Sequence, residues 1–265
     1  MLYHKDQQLI KDENSAFQLA ALSVIGDRDD QQDSFGYRLK QEEGLIVICD
    51  GMGGSEGGKA ASELAVEMFL ADYAESSFNT KPSDMLIETA KKADAMVFLL
   101  KNEEGKLLKA GTTLASVIIN RRKLTWCSVG DSRAYLLRNG ELAQITQDHN
   151  YHTVLVGKKN EGLLDETEFQ MESARGEALI SFLGIGNLGL IDYSEVPLEL
   201  QKDDRIIIMS DGLYKVVTDP EIARILDNFT NIGEAVQALE IKAKKNAANN
   251  NILRDNMTVA LIKIK

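Results

Sequence analysis

The chain has 265 residues, 44% of them hydrophobic and 27% charged, a composition that suits one globular domain over 1–265 with a core that needs no staples. Its formal net charge of −11 repels nucleic acid and anionic membranes, both of which reward clustered Lys and Arg. Cys49 and Cys127 are the only cysteines; both sit inside apolar runs and read as small buried hydrophobes rather than a redox pair.

No apolar run approaches the roughly 18–20 residues of a membrane span. The opening M-L-Y-H-K-D-Q-Q is polar and lacks the apolar core of a signal peptide, so the cytoplasm is the expected location. In chain order, β-branched and apolar runs predict strands at 17–25, 34–39 and 45–49. Ala61, Leu64, Ala65, Met68 and Phe69 then recur at three-and-four spacing. Leu86, Ala90, Ala93, Val97 and Leu100 do the same, which predicts two amphipathic helices, the second stopping near Gly105. Strands follow at 113–119, 124–129 and 134–137, and Asn139-Gly140 predicts a tight hairpin turn.

The stretch 150–176 is charged and weakly periodic; it reads either as a flap, running to about 182, or as a pair of helices. A strand at 205–209 comes next. Asp219, as an N-cap before Pro220, opens a short helix through Leu226. Asn231 with Glu234 resembles a capping box ahead of Ala235, Leu239 and Ala243, and a strand at 257–264 follows. Strands in adjacent groups, with helices in pairs between them, predict an α+β fold of antiparallel sheets covered by helices.

The chemistry lies where these strands stop. The run 45–49 ends in Asp50-Gly51, 205–209 leads through Ser210 to Asp211-Gly212, and 126–130 ends in Asp131. Asp255-Asn256 stands directly before the last strand. In antiparallel sheets, residues after one strand and before its neighbour share an edge, so four aspartates can converge on one rim. Converging carboxylates raise one another's pKa values unless a cation lies between them. A single Asp-Gly after a strand is also a good turn; four strand-end aspartates on one chain point to a metal site and leave the reaction open. Oxygen-only ligation selects Mg²⁺ or Mn²⁺ over zinc, and Gly51 lacks the Cβ that would keep its carbonyl from a metal. A metal cage also reconciles the acidity with an anionic substrate.

Seven motifs resemble, in order, those of the metal-dependent protein phosphatases of type 2C, bacterial branch. They are Arg28-Asp29-Asp30-Gln31-Gln32-Asp33-Ser34, Asp50-Gly51-Met52-Gly53-Gly54, Gly111-Thr112-Thr113, Gly130-Asp131-Ser132-Arg133, Asp148-His149, Ser210-Asp211-Gly212-Leu213 and Asp255-Asn256-Met257-Thr258. The resemblance spans about 20–264 and implies a four-layer αββα sandwich, two antiparallel sheets packed face to face with helices outside. It implies that Asp50 bridges two ions of Mn²⁺ or Mg²⁺, that the Gly51 carbonyl binds one of them, and that Asp211 and Asp255 complete the second site. Asp131, with Asp211, would hold a third ion; Asp33 would orient water and Arg28 would bind the substrate phosphate.

Two divalent ions would offset the charges of Asp33, Asp50, Asp211 and Asp255, and Arg28 would tip the centre positive. A hydroxide bridging the ions would hydrolyse phosphoserine and phosphothreonine in proteins. No phosphoenzyme would form, and no Cys-x5-Arg motif is present.

Three places depart from the family pattern. Met52 stands where many eukaryotic members carry a histidine, Gln32 replaces a common acidic residue, and 178–186 lacks an arginine frequent in relatives. His149 is expected to serve structural hydrogen bonding at the start of the flap; Asp29 and Asp30 read as surface charge. The implied setting is a monomer acting on the phosphoprotein substrates of a bacterial Ser/Thr kinase, without nucleic acid or membrane. Competing readings are a phosphatase dedicated to one phosphoserine partner and a catalytically weak phosphoprotein-binding regulatory module.

Overall fold

Apolar residues run without a break along the central strands, 45–49 and 206–209 among them, so both faces are apolar, as buried strands covered on two sides require. The computed structural model describes residues 2–3, 8–76 and 80–265; five of the eight N-terminal residues read above as lacking a leader lie outside them. The elements run β1 (Leu2–Tyr3), β2 (Ile10–Glu13), β3 (Phe17–Val24), β4 (Asp33–Leu39), β5 (Glu43–Met52), α1 (Ser55–Glu75) and α2 (Pro82–Phe98). Then come β6 (Gly111–Thr112), β7 (Leu114–Asn120), β8 (Lys123–Val129), β9 (Arg133–Arg138), β10 (Glu141–Gln144), α3 (Tyr151–Asn160) and α4 (Glu166–Ser173). Next are β11 (Asp192–Tyr193), β12 (Leu198–Glu199), β13 (Arg205–Met209), α5 (Asp211–Tyr214), α6 (Asp219–Asn228), α7 (Ile232–Asn250) and β14 (Met257–Ile264).

Two antiparallel sheets result. One has the order β1-β4-β5-β7-β8-β11, with β6 on β5 and β12 on β8; the other has the order β10-β9-β13-β14-β3-β2. The period of two assigns each side chain to a layer. In β5, Ile46 and Ile48 face the second sheet, while Leu45, Val47 and Cys49 face Ala65, Phe69 and Leu86 of α1 and α2. In β13, Ile206 and Ile208 join the core between the sheets, and Ile207 and Met209 pack under Ile222, Leu226, Val236 and Leu239 of α6 and α7. The layers are therefore helix, sheet, sheet, helix, as the motifs implied. Cys49 and Cys127 are buried and unpaired.

The differences from the expected elements are local. β5 does not stop at residue 49. It continues through Asp50 to Met52, because β6 supplies partners: Gly51 lies opposite Thr112 and Met52 opposite Gly111. Asp50-Gly51 is thus a strand segment and not a turn. The N-cap of α6 is Thr218, one residue before the expected Asp219; its backbone N–H donates to Glu221 at 3.1 Å. Asn231 caps α7, accepting from Gly233 and Glu234 N–H, but the expected capping box is only half formed, since Glu234 does not return a bond to Asn231. Asn139 and Gly140 both take positive φ, 52° and 81°, the geometry of a type I′ hairpin. Residues 150–176 form a helix pair, α3 and α4, whose ends are tied together: Tyr151 N–H donates to Ala178 and His152 N–H to Gly176.

One buried side chain fixes a loop beside the site-bearing rim. Asp94 of α2 is 3% exposed and accepts the backbone N–H groups of Gly184, Gly186 and Leu188 at 2.8, 3.0 and 3.1 Å. Replacing it by alanine strands three donors that a buried carboxylate had satisfied. Asp94→Ala should cost about 2–3 kcal/mol in denaturant unfolding and speed amide exchange at Gly184 and Leu188, with Asp94→Asn intermediate. Unchanged exchange at those amides would contradict the anchoring.

Candidate metal centre

Register carries the expected aspartates to one end of the sandwich. On the first sheet Asp33 lies directly opposite Asp50. On the second, Met209 pairs with both Arg133 and Val259, so Asp211 leaves its strand between Asp131, just before β9, and Asp255, just before β14. Two carboxylates from one sheet and three from the other therefore share a rim. A cross-sheet hydrogen bond joins the two halves: the Ser210 hydroxyl donates to Asp33 Oδ2 at 2.7 Å and accepts the Thr258 N–H at 2.9 Å.

The electrostatics register this crowding. Burial pushes the Asp33 carboxyl up to about 7, helped by the charges of Asp211 and Asp255 and opposed by hydrogen bonds from Ser210 and Thr258. Burial likewise raises Asp50 well above the carboxylate range, reinforced by Asp33, Asp211, Asp131 and Asp255. Asp131 is pushed up to about 6 by burial and by Asp211, with Lys215 opposing. Asp33 Oδ1 is buried and has no hydrogen-bond partner, the kind of orphaned oxygen that a cation or its water satisfies. The donor set is all oxygen, which fits a hard divalent ion. The carboxylates line the rim rather than closing on a point: among the described residues no three His, Cys, Asp or Glu side chains stand as a ready-made ligand cluster.

Backbone locks hold this array. Asp50 N–H donates to Thr113 Oγ1 at 2.9 Å, and the Asp50 carbonyl accepts Thr113 N–H and Thr112 Oγ1, each at 2.8 Å. Thr113 Oγ1 also meets Ser132 Oγ at 2.7 Å, which joins Asp50 to the turn between β8 and β9 that carries Asp131. Gly51 has a packing reason beside the one read from sequence: a Cβ there would lie 2.1 Å from the Gly58 carbonyl oxygen, where α1 crosses β5. Gly212 is similar, its absent Cβ falling 2.0 Å from the Asn256 carbonyl oxygen.

Arg28 arrives on the loop between β3 and β4, exposed, with its guanidinium 2.6 Å from Asp255 Oδ2. That loop is fastened by Asn256, whose side chain donates to Ile25 and Asp30 carbonyls and accepts Gln32 N–H, and by the Arg254–Asp27 ion pair at 2.7 Å. Asp29 and Asp30 are exposed. His149 accepts Gly130 N–H at Nδ1, and its backbone pairs with Gly130 and Ile180, the structural role expected of it. Phe182 lies against Gly111, and Leu183 bridges Thr112.

Sequence reasoning assigned no role to Thr112, Thr113, Asn256, Ser210 or Lys215. The first four lie inside the quoted motifs, so their positions were visible; what each holds is a matter of tertiary contact. Lys215 lies just beyond its motif, four residues after Asp211, and brings its ammonium to 2.8 Å from Asp211 Oδ2.

Comparison with known proteins places this arrangement in context. A family model described as Protein phosphatase 2C matches residues 23–248. The serine/threonine phosphatase stp of Listeria monocytogenes is 29% identical over 240 residues, covering 89% of this chain and 90% of that protein. The structure of the S. agalactiae serine/threonine phosphatase superposes with a TM-score of 0.81 at 27% identity, covering 94% of this chain and all of that one. The catalytic domain of the serine/threonine protein phosphatase PstP, in complex with two manganese ions, superposes with a TM-score of 0.73 at 26% identity, covering 94% and 98%.

The threonine lock can be tested by a near-isosteric change. Thr113→Val removes the acceptor of the Asp50 N–H and should cost about 1–3 kcal/mol of stability. Mn²⁺ titration should show weaker binding as Asp50 loosens; wild-type affinity would mean that Asp50 is held by other contacts.

Proposed function

This chain belongs to the protein phosphatase 2C family and is a metal-dependent protein serine/threonine phosphatase; we propose that its catalytic centre is the carboxylate rim between the two sheets. In this reading Asp50, the Gly51 carbonyl, Asp211 and Asp255 hold two ions of Mn²⁺ or Mg²⁺, and Asp131 stands at a secondary position. The observation that carries it is the pairing of Asp33 and Asp50 across one sheet, cross-bonded through Ser210 to the sheet that bears the other three aspartates. When bound, divalent cations lower the pKa of water and offset phosphate charge.

The chain's own residues supply the rest. Arg28 offers a planar, exposed guanidinium at the mouth of the rim, suited to bidentate contact with phosphate oxygens. Its loop is pinned at both ends, so the fork is presented at a set height above the carboxylates. Asp33, with Oδ2 held by Ser210 and Oδ1 free of protein partners, can accept a proton from a water at the rim. Met52 has no proton to give, so the departing serine or threonine oxygen takes its proton from water. Burial pushes the thiols of Cys49 and Cys127 far above neutrality, which leaves neither as a nucleophile and fits hydrolysis without a phosphoenzyme.

The substrates in this proposal are proteins phosphorylated by a bacterial Ser/Thr kinase, met in the cytoplasm by a monomer. The names of the relatives support the phosphoprotein part. No helix among the described residues is long and apolar enough to cross a membrane.

Hydrolysis of an aryl phosphate should require Mn²⁺ or Mg²⁺, and Asp211→Asn should lower turnover by roughly 10²-fold or more. Metal-independent turnover in the wild type would sink the proposal, and a phosphopeptide panel should rank phosphoserine and phosphothreonine above phosphotyrosine. For Arg28→Ala, KM should rise by about 10-fold or more, the loss of a charge-assisted contact, while Mn²⁺ affinity stays intact. Lost metal affinity would move Arg28 from the substrate to the Asp255 ligand shell.

A further inference from the structure

Asp131 and Asp211 leave the same end of neighbouring strands. β9 and β13 are antiparallel with Met209 opposite Arg133, so Asp131, two residues before Arg133, and Asp211, two residues after Met209 at the start of α5, lie at the same end of the ladder. Neighbouring carboxylates at a buried rim repel and call for a positive charge beside them. The chain carries one of its own. Lys215 caps the single turn α5 and, four residues beyond Asp211, sets its ammonium 2.8 Å from Asp211 Oδ2. The same nitrogen lies 3.0 Å from Glu177 Oε2, at the point where the α3–α4 segment returns to the sheet. Its side chain is 37% exposed and that of Asp211 15%, so the carboxylate end of the pair is largely shielded while the ammonium reaches it from the solvent side.

The flanking groups complete the neutralisation. Tyr214, one residue before Lys215, opposes the rise that burial imposes on the Asp131 carboxyl. Arg133 stacks 3.7 Å over the Tyr214 ring and clasps Asp148 with two nitrogens, Nε at 3.0 Å and Nη2 at 2.7 Å. The Asp131–Asp211 edge is thus flanked by a cation and a tyrosine from consecutive residues at the end of one turn.

We propose that Lys215 is a built-in counter-ion for the Asp131–Asp211 edge, occupying in this chain the place that a further divalent cation would take, with Glu177 holding it there. The inference rests on the metal-centre reading above but concerns only its outer edge. An ammonium is a compact point charge on a flexible stem, able to meet two carboxylates without fixed coordination geometry. It is therefore a fitting permanent substitute for an ion at a position that needs charge and not ligand order.

The test counts metal ions rather than turnover. Mn²⁺ binding to the full chain would be measured by equilibrium dialysis for the wild type, Lys215→Ala, Lys215→Arg and the double variant Lys215→Ala/Asp131→Asn. The expected result is one additional Mn²⁺ per chain in Lys215→Ala, no gain in Lys215→Arg, and loss of the gain in the double variant. Circular dichroism would check folding, and Lys215→Met serves in place of Lys215→Ala if the latter unfolds. An equal ion count in the wild type and in the folded charge-deleting variant would overturn the proposal, as would a gain that survives Asp131→Asn. Failure of the wild type to bind Mn²⁺ at all would instead overturn the metal-centre reading, and this inference with it.

Discussion

Five carboxylates brought to one rim of a sandwich, partly out of water, are the constraint on which the rest of this structure depends. In a medium less polarisable than water, like charges a few ångströms apart cost several kcal/mol, and burial adds its own cost. Burial first and the neighbouring aspartates second push the Asp33, Asp50 and Asp131 carboxyls above the usual carboxylate range. A fold that tolerates it must be held by something else, and here the holding is done by two apolar layers that fill both faces of the central strands. The Ser210–Asp33 bond then matters beyond its own strength, because it ties the rims of the two sheets at the point where repulsion would spread them.

The supporting contacts share a physical style. Asp50 is fixed through its backbone by two threonines, and the Arg28 loop through backbone carbonyls that accept from Asn256. Fixing main chain sets where the Asp50 carboxylate and the Arg28 guanidinium stand without using their own side-chain atoms for the purpose. The tight glycine contacts follow the same logic: Gly51 and Gly212 let neighbouring backbone come within a distance that any Cβ would forbid. Preorganisation of this kind is what electrostatic catalysis needs, since groups that are already in place pay no reorganisation during the reaction.

Around the rim the chain's net acidity is locally answered. Arg28 sits on Asp255, Lys215 on Asp211 and Arg133 on Asp148. Each cation comes from a different motif or its immediate neighbour. Lys215 also reaches Glu177, so the helix pair α3–α4 and the carboxylate edge share one charge.

Much of this was legible in one dimension. The strand at 205–209 and the strand at 257–264 match the structure residue for residue, because long β-branched runs with apolar residues on both faces have no competing reading. The two helices covering the first sheet were visible in their three-and-four spacing, and the hairpin in Asn139-Gly140. Short strands such as β6, β11 and β12 were not, since two residues carry no period. The sequence by itself determined which aspartates lie at or close to the ends of strands, and hence the chemistry they could share. Only the tertiary structure decided that Asp50 lies within its strand, opposite Asp33. It also decided that Thr113 and Ser210 do the holding and that Lys215 answers Asp211. Strand partners and cross-sheet contacts depend on register between segments distant in sequence, and no local pattern encodes that register.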